Sequence, residues 1–359
     1  MNYIEYKEIV KETVLNEYPT YYQDKILRML KEEKLVFNDK RSVNKLNLLD
    51  ITSYNKTYDK MKCVIDNLDK AVKKIEWFEF NRAYRYSVIF KINNYSDNML
   101  EELLKKNWIK SFSEDISERD VVKTSAYAPT CLIEKEKTKF KFSFKLDNKN
   151  EPYKSIKYTV LAIIHKDINI LEIRLDTASY NYRDNEVFYK DKISSVKAWF
   201  SGAFKDEITI ENIDLEPVVK YMKLEKFDEV TIVALKMRRD GMVAYLDSAS
   251  NEELMIPILG ELKDLLKKEE DKFNKNQYTK EIKIMLDDFI LKVEEMSELP
   301  QVSILWDKKK VKVTLTHEYN REKYSLFRYS DELGEEEMMD YVTKYIIKCK
   351  RELDEKCNN

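Results

Sequence analysis

Hydrophobic positions in residues 1–80 recur at helical spacing. Ile4, Ile9, Val10, Val14 and Leu15 share one side of a first segment, which Pro19 closes. Ile26, Leu27 and Leu30 mark a second helix within residues 21–35. Met61, Val64, Ile65, Leu68, Ala71, Val72 and Ile75 form an unbroken stripe. That stripe predicts one helix over 58–75 with its apolar side against a core.

The period changes to two over residues 84–176. A strand is predicted at 86–92 and a helix at 98–110. The run Lys139-Phe140-Lys141-Phe142-Ser143-Phe144-Lys145-Leu146 alternates cleanly, predicting a strand with an apolar face and a lysine face. Residues 158–164 and 168–175 flank His165-Lys166-Asp167 and read as a hairpin. The first of these strands is apolar through its middle, which places it centrally in its sheet.

Helical spacing returns at 189–226, in two pieces separated by 207–210. Asp214-Leu215-Glu216-Pro217 suits the start of the second piece, with acids at the N-terminus and Pro in the first turn. Strands at 230–237 and 242–246 flank Asp240-Gly241, a hairpin signal because such turns need positive φ. Two helices follow in 251–298, turning near Asn274-Lys275-Asn276-Gln277, with Pro257 kinking or starting the first. Short strands at 301–306, 310–317 and 322–329 precede a last helix at 335–355. These elements predict an α+β fold. Residues 1–80 form a helical domain, 84–205 an α+β domain around a mixed or antiparallel sheet, and 206–359 a second α+β domain with a helix–meander–helix ending.

Composition narrows the function. Only four glycines occur in 359 residues, and none are clustered. Phosphate-cradling loops need clustered glycines for close backbone approach, so Walker-type, Rossmann and Gly-rich kinase loops are excluded. No nucleotide cofactor is expected. The two histidines, His165 and His317, cannot build a His-rich metal centre, and neither has a neighbour at triad spacing. His165 sits in a hairpin turn that could expose it, and His317 lies in the apolar phase of its strand. Cys63, Cys131, Cys349 and Cys357 form no Cys-x-x-Cys pair, and four cysteines in a chain this long suit a reducing compartment. The charged N-terminus lacks the apolar core of a signal peptide, and no apolar run reaches the ~20 residues of a membrane span. A cytoplasmic protein with no membrane contact is expected. Abundant Lys, Asn, Tyr and Ile with little Gly or Ala reads as AT-rich coding, as in a low-GC bacterial or mobile-element genome.

The net charge of -2 hides an asymmetry. Residues 1–205 carry 38 Lys+Arg against 31 Asp+Glu, and residues 206–359 carry 26 against 35. The basic half contains the candidate chemistry. Eight lysines in 135–158 are interleaved with Phe140, Phe142, Phe144, Tyr153 and Tyr158. Lys139, Lys141 and Lys145 share one strand face at a spacing that meets phosphates, and Lys154 and Lys157 follow. Tyr182 and Arg183, in the loop Tyr180-Asn181-Tyr182-Arg183-Asp184-Asn185, are placed to stack on and clamp a strand. The blander reading is a solvated outer face whose lysines guard an edge strand, beside a plain turn. Asp167 followed by Glu172 and Asp176 distantly resembles a metal-nuclease carboxylate set, although cross-strand salt bridges account for it better. Arg238-Arg239 and Lys308-Lys309-Lys310 are turn-tip cations.

Three functions follow in order. The first is a non-enzymatic DNA- or RNA-associated protein of a larger assembly. The second is a protein-interaction or scaffold subunit that binds no nucleic acid. The third is a divalent-metal nuclease. Self-association or a protein partner is expected, because the last helix carries apolar residues beyond a single face and the two halves differ in charge.

Overall fold

A computed structural model describes residues 3–37, 48–112, 128–151, 153–205, 207–239, 242–248, 259–295, 297–330 and 335–358. The fold is α+β. Two compact units are present: residues 1–212 with 334–339, and residues 213–333 with 340–359. The helical region and the basic sheet domain, expected as separate domains meeting at residues 80–84, share the first unit. Its boundary falls after residue 212 instead of 205, because residues 209–212 add a strand.

In unit 1, α1 (Tyr3–Asn16), α2 (Thr20–Glu32), α3 (Thr57–Asn67) and α4 (Asp69–Asn81) build a helical layer around Tyr6, Val10, Ile26, Met61, Ile65 and Ile75. Strands β1 (Val36–Phe37) and β2 (Leu49–Asp50) pair in parallel beside it. The expected single helix over 58–75 is two helices. Leu68 leaves helical geometry at φ -132° and ψ 101°, ending α3, and Asp69 opens α4 in a position the helix dipole favours. The apolar stripe keeps its phase across this break, so periodicity alone does not reveal it.

The unit 1 sheet contains β3 (Tyr86–Asn93), β4 (Lys110–Ser111), β5 (Thr130–Ile133), β6 (Lys137–Asp147), β7 (Ser155–His165) and β8 (Ile170–Leu175), in the order β3-β8-β7-β6-β5-β4. Helix α5 (Met99–Lys105) precedes β4 and is shorter than expected. Helix α6 (Phe188–Ala203) follows β8, and β9 (Thr209–Asn212) pairs with the second half of β3. Among the described residues of this sheet, β4 and β5 run parallel, and the pairs β3–β8, β3–β9, β5–β6, β6–β7 and β7–β8 are antiparallel. As expected, β7 is central, between β6 and β8.

Paired residues share a face, so the register sorts the side chains. Phe140, Phe142 and Phe144 face α6, where Phe140 meets Phe200 at 5.1 Å and Phe142 meets Trp199 at 5.2 Å between ring centroids. Lys139, Lys141, Leu161 and Arg174 lie on the opposite face, by the pairings Lys139–Ile163, Lys141–Leu161 and Leu161–Arg174. Helices α1 and α4 cover that face. The Lys157 amide donates to Thr13 Oγ1 of α1 at 2.7 Å, and Lys141 Nζ donates to the Glu76 carbonyl of α4 at 3.0 Å. The sheet is therefore sandwiched, and the expected solvated lysine face is an interior layer.

Unit 2 holds α7 (Glu216–Glu225), β10 (Val230–Arg239), β11 (Met242–Asp247), α8 (Leu259–Lys268), α9 (Glu270–Phe273), α10 (Gln277–Glu295), β12 (Glu298–Trp306), β13 (Val311–Thr316), β14 (Leu326–Tyr329) and α11 (Glu336–Asn358), whose first four residues count with unit 1. Its strands run antiparallel in the order β11-β10-β12-β13-β14. Pro217 sits in the first turn of α7, as predicted. The meander β12-β13-β14 precedes α11, whose Tyr345 ring meets Trp306 edge-on at 6.1 Å. Asp240-Gly241 and Pro257 lie outside the described residues. Among the described residues, no helix is long and apolar enough to cross a membrane.

Candidate functional site

The most concentrated polar chemistry is the layer between α4 and the unit 1 sheet. Glu76 and Glu79 stand three residues apart on α4, and both are buried. Lys157 Nζ donates to Glu76 Oε1 at 2.6 Å and also pairs with Glu79. Lys141 Nζ donates to Glu79 Oε2 at 3.0 Å and pairs with Glu76. Two ammonium groups thus meet two carboxylates, with no net charge. The Tyr18 hydroxyl donates to Glu79 Oε1 at 2.9 Å, and the Tyr6 hydroxyl donates to Glu76.

Electrostatics differ within the quartet. Burial opposes charge on Lys157, but Glu76 and Glu79 outweigh it and hold the ammonium above its usual range. For Lys141, burial prevails over the same two carboxylates and lowers its pKa. Burial alone would raise Glu79; Lys157 and Lys141 reverse this and hold it below the ordinary carboxylate value.

A second cluster follows along the same face. Glu172 accepts from Arg174 Nη2 at 2.8 Å, and its Oε2 lies 2.8 Å from His165 Nε2. Burial would raise Glu172, but Arg174 and His165 hold it low. Lys139 Nζ lies 3.0 Å from Glu336 and also donates to Asn81 Oδ1 at 3.0 Å. A third knot joins Arg82 to Asp176, with the guanidinium over Tyr84 at 4.0 Å and Tyr22 at 5.2 Å.

These clusters relocate the residues singled out in the sequence. Lys139, Lys141 and Lys157 are buried in ion pairs, so the expectation that they present ammonium groups to phosphates is corrected. Lys145 is partly exposed beside Asp147 at 3.7 Å, and Lys154 pairs with Glu151 at 2.8 Å. Tyr182 is buried and offers no stacking face, whereas Tyr180 is exposed beneath Lys149 Nζ at 5.0 Å. Arg183 Nε donates to the Ala178 carbonyl at 2.6 Å. His165 is buried, not exposed in its turn. His317 is buried on Ser325 Oγ at 2.7 Å, the structural role its strand phase suggested. The arginine pairs of this strand do not cross strands as expected: Glu172 pairs with Arg174 of its own strand and Asp176 with Arg82 at the end of α4, while the cross-strand contact of Glu172 is to His165.

The outer side of α4 holds a feature not singled out in the sequence. Lys70, Lys73, Lys74 and Trp77 occupy positions i, i+3, i+4 and i+7, which place them on one helix face. With Glu33, Leu35 and Phe112 they line a groove of about 200 Å³. Small-molecule pockets occupy about 300–1,000 Å³, so this groove suits one phosphate or one splayed base. Trp77 is 38% exposed, and its ring lies 6.1 Å from Phe112. Phe112 is fixed from behind: its amide donates to the Cys131 carbonyl at 2.8 Å, and its ring packs edge-on against Phe80 at 5.1 Å. Glu33 pairs with Lys74, and the charged residues lining the groove are three lysines and this one glutamate. The available signal was three lysines and a tryptophan at helical spacing on the polar side of an apolar stripe.

Compared with known proteins, the chain matches no family model and no curated protein at a significant level.

Proposed function

We propose that this is a non-enzymatic, nucleic-acid-associated protein that holds a single strand across the α4 groove. One observation carries the reading: Lys70, Lys73 and Lys74 share a groove with the exposed face of Trp77. Sequence-tolerant single-strand sites combine cations that follow the backbone with aromatic faces on which bases stack. Lysines supply point charges and no base-edge code, so recognition is of backbone and stack, not sequence. The buried quartet fixes the opposite side of α4 and keeps the groove residues in place.

The test is fluorescence anisotropy with labelled oligo(dT) and oligo(U) on the full chain between 25 and 300 mM salt. Each lysine–phosphate contact on a single strand adds about 0.7 to the magnitude of the log–log salt slope. Lys70→Ala with Lys73→Ala should flatten that slope by up to about 1.4. Removing one stacking face by Trp77→Ala should cost ~1–3 kcal/mol, roughly 5- to 150-fold in Kd. Equal loss on both oligonucleotides fits backbone-and-stack recognition, and loss on one alone identifies the sugar it prefers. Absence of binding at 25 mM salt, or binding indifferent to all three substitutions, refutes the reading.

A further inference from the structure

Helix α10 carries apolar residues on several sides, with Ile284 (57%) and Leu291 (47%) exposed on one of them. Its inner side closes on α8, where Ile290 and Leu266 are buried. Another side is an open seam: Tyr278 is 79% exposed, Ile282 51%, Met285 70% and Phe289 56%. These residues are spaced by four, three and four positions, the heptad spacing that aligns side chains along one edge of a helix. A monomeric protein rarely leaves such an edge to water.

We infer that this seam binds the same seam of a second copy, forming an antiparallel two-fold dimer. The order of gaps carries the choice of occupant. Four, three, four reads the same in both directions. A two-fold axis between residues 283 and 284 therefore sets Tyr278 against Phe289 and Ile282 against Met285. Aromatic meets aromatic and aliphatic meets aliphatic, the self-complementarity a two-fold interface requires. The area agrees. At roughly 200 Å² for a fully exposed large apolar residue, these four side chains offer about 500 Å². A standard interface buries about 800 Å² per partner, of which roughly 60% is apolar. Glu281 and Asp288 border the seam on one flank, and the two-fold brings each near the other's counterpart. The dimer is therefore apolar in origin and opposed by charge, so salt strengthens it. This inference is independent of the nucleic-acid reading, whose binding salt weakens.

Sedimentation equilibrium of the full chain at tens of micromolar, in 50 mM and 500 mM salt, tests it. The expected mass is twice the 43.1 kDa chain, with tighter association at the higher salt. Ile282→Lys with Met285→Lys should return the single-chain mass with an unchanged circular dichroism spectrum, and Met285→Leu should retain the dimer. A monomeric wild type overturns the inference and leaves the seam to a foreign helix. So does a dimer weakened by salt, or one that survives the double lysine variant. Should the lysine variant misfold, Glu281→Gln with Asp288→Asn replaces it. That variant must tighten the dimer at 50 mM salt and remove its salt dependence, and unchanged behaviour overturns the inference.

Discussion

Lys141→Met is the sharpest probe of the layer that joins the helices to the unit 1 sheet. Lys141 is fully buried and pairs with both Glu76 and Glu79. Methionine keeps most of the volume and removes the ammonium. The quartet then holds two carboxylates against the single cation Lys157, in a layer closed to the solvent that would screen the surplus. Removing one partner of a buried pair costs ~3–5 kcal/mol, because a charge is left without its counterpart. Domain stabilities are ~5–15 kcal/mol, so this one change takes a large share. The depressed pKa of Lys141 does not contradict this. It states that burial disfavours the ammonium, whereas the variant's cost arises on the carboxylates left behind. Adding Glu76→Gln restores neutrality: Lys157 keeps Glu79, and the new amide oxygen at position 76 still accepts from Tyr6. Well-packed neutral replacements of buried ion pairs are often near neutral in stability. The double variant should therefore recover about 2–3 kcal/mol relative to the sum of the two single variants.

With two units in the chain, one global unfolding curve would mix them. Hydrogen exchange of peptides across β6 and β7 reads unit 1 by itself. Lys141→Met should speed exchange there by roughly 150- to 5,000-fold, and the double variant should restore most of the protection. A change below about fivefold in Lys141→Met, or additive single and double variants, would refute the account of a closed, neutral quartet.

Unit 1 should lose protection in acid. Glu79 and Glu172 have folded pKa values below the ordinary 4.5. Their contribution is complete above that value and is lost as pH falls through the folded pKa values. Glu172→Gln should flatten this acid limb in a pH series of hydrogen exchange, and an unchanged limb would rule Glu172 out. Thiol chemistry should separate the cysteines: burial pushes Cys131 up to about 12 and Cys349 up to about 11, whereas Cys357 is exposed. A disulfide reagent at pH 8 should label Cys357 first and leave Cys131 intact in the native protein, as peptide mapping would show.

Much of the element order was legible because strands and helices carry different periods. Residues 139–146 alternate, 158–164 are apolar through their middle, and Pro217 marks a helix start; each lies in the element its pattern predicts. Which face meets water was not legible. Alternation shows that two faces of β6 differ, not that one is solvated. Lysines belong outside only if no carboxylate awaits them inside, and the partners are remote in sequence: Glu76 and Glu79 for Lys141, and Glu336 for Lys139. The available sign was Glu76 and Glu79 within Ile75–Phe80 of a helix that is otherwise apolar on several sides. A helix buried that widely, with two acids at i and i+3, calls for cations from elsewhere in the chain. Leu68 and β9 were missed for different reasons: the first leaves the apolar phase intact, and the second is too short to show a period.

The buried charges also answer a problem the sheet poses. A strand with side-chain period two, covered by helices on both faces, has no solvent side to fix its orientation. In β6, hydrophobicity alone would accept either face against either helical layer. The charges remove that freedom. A one-residue slip would set Phe140, Phe142 and Phe144 against Glu76 and Glu79, and would drive Lys139 and Lys141 into Trp199 and Phe200. Both outcomes strand buried charges without partners, a cost of several kcal/mol each. The quartet contributes little net stability compared with an apolar layer, but it distinguishes the native register from its nearest competitors. Helix α4 is the element so fixed. Rotating it by one residue, 100°, would withdraw Glu79 from Lys141 and turn Trp77 from the groove. The same pairing that selects the register therefore sets the direction in which Lys70, Lys73, Lys74 and Trp77 point.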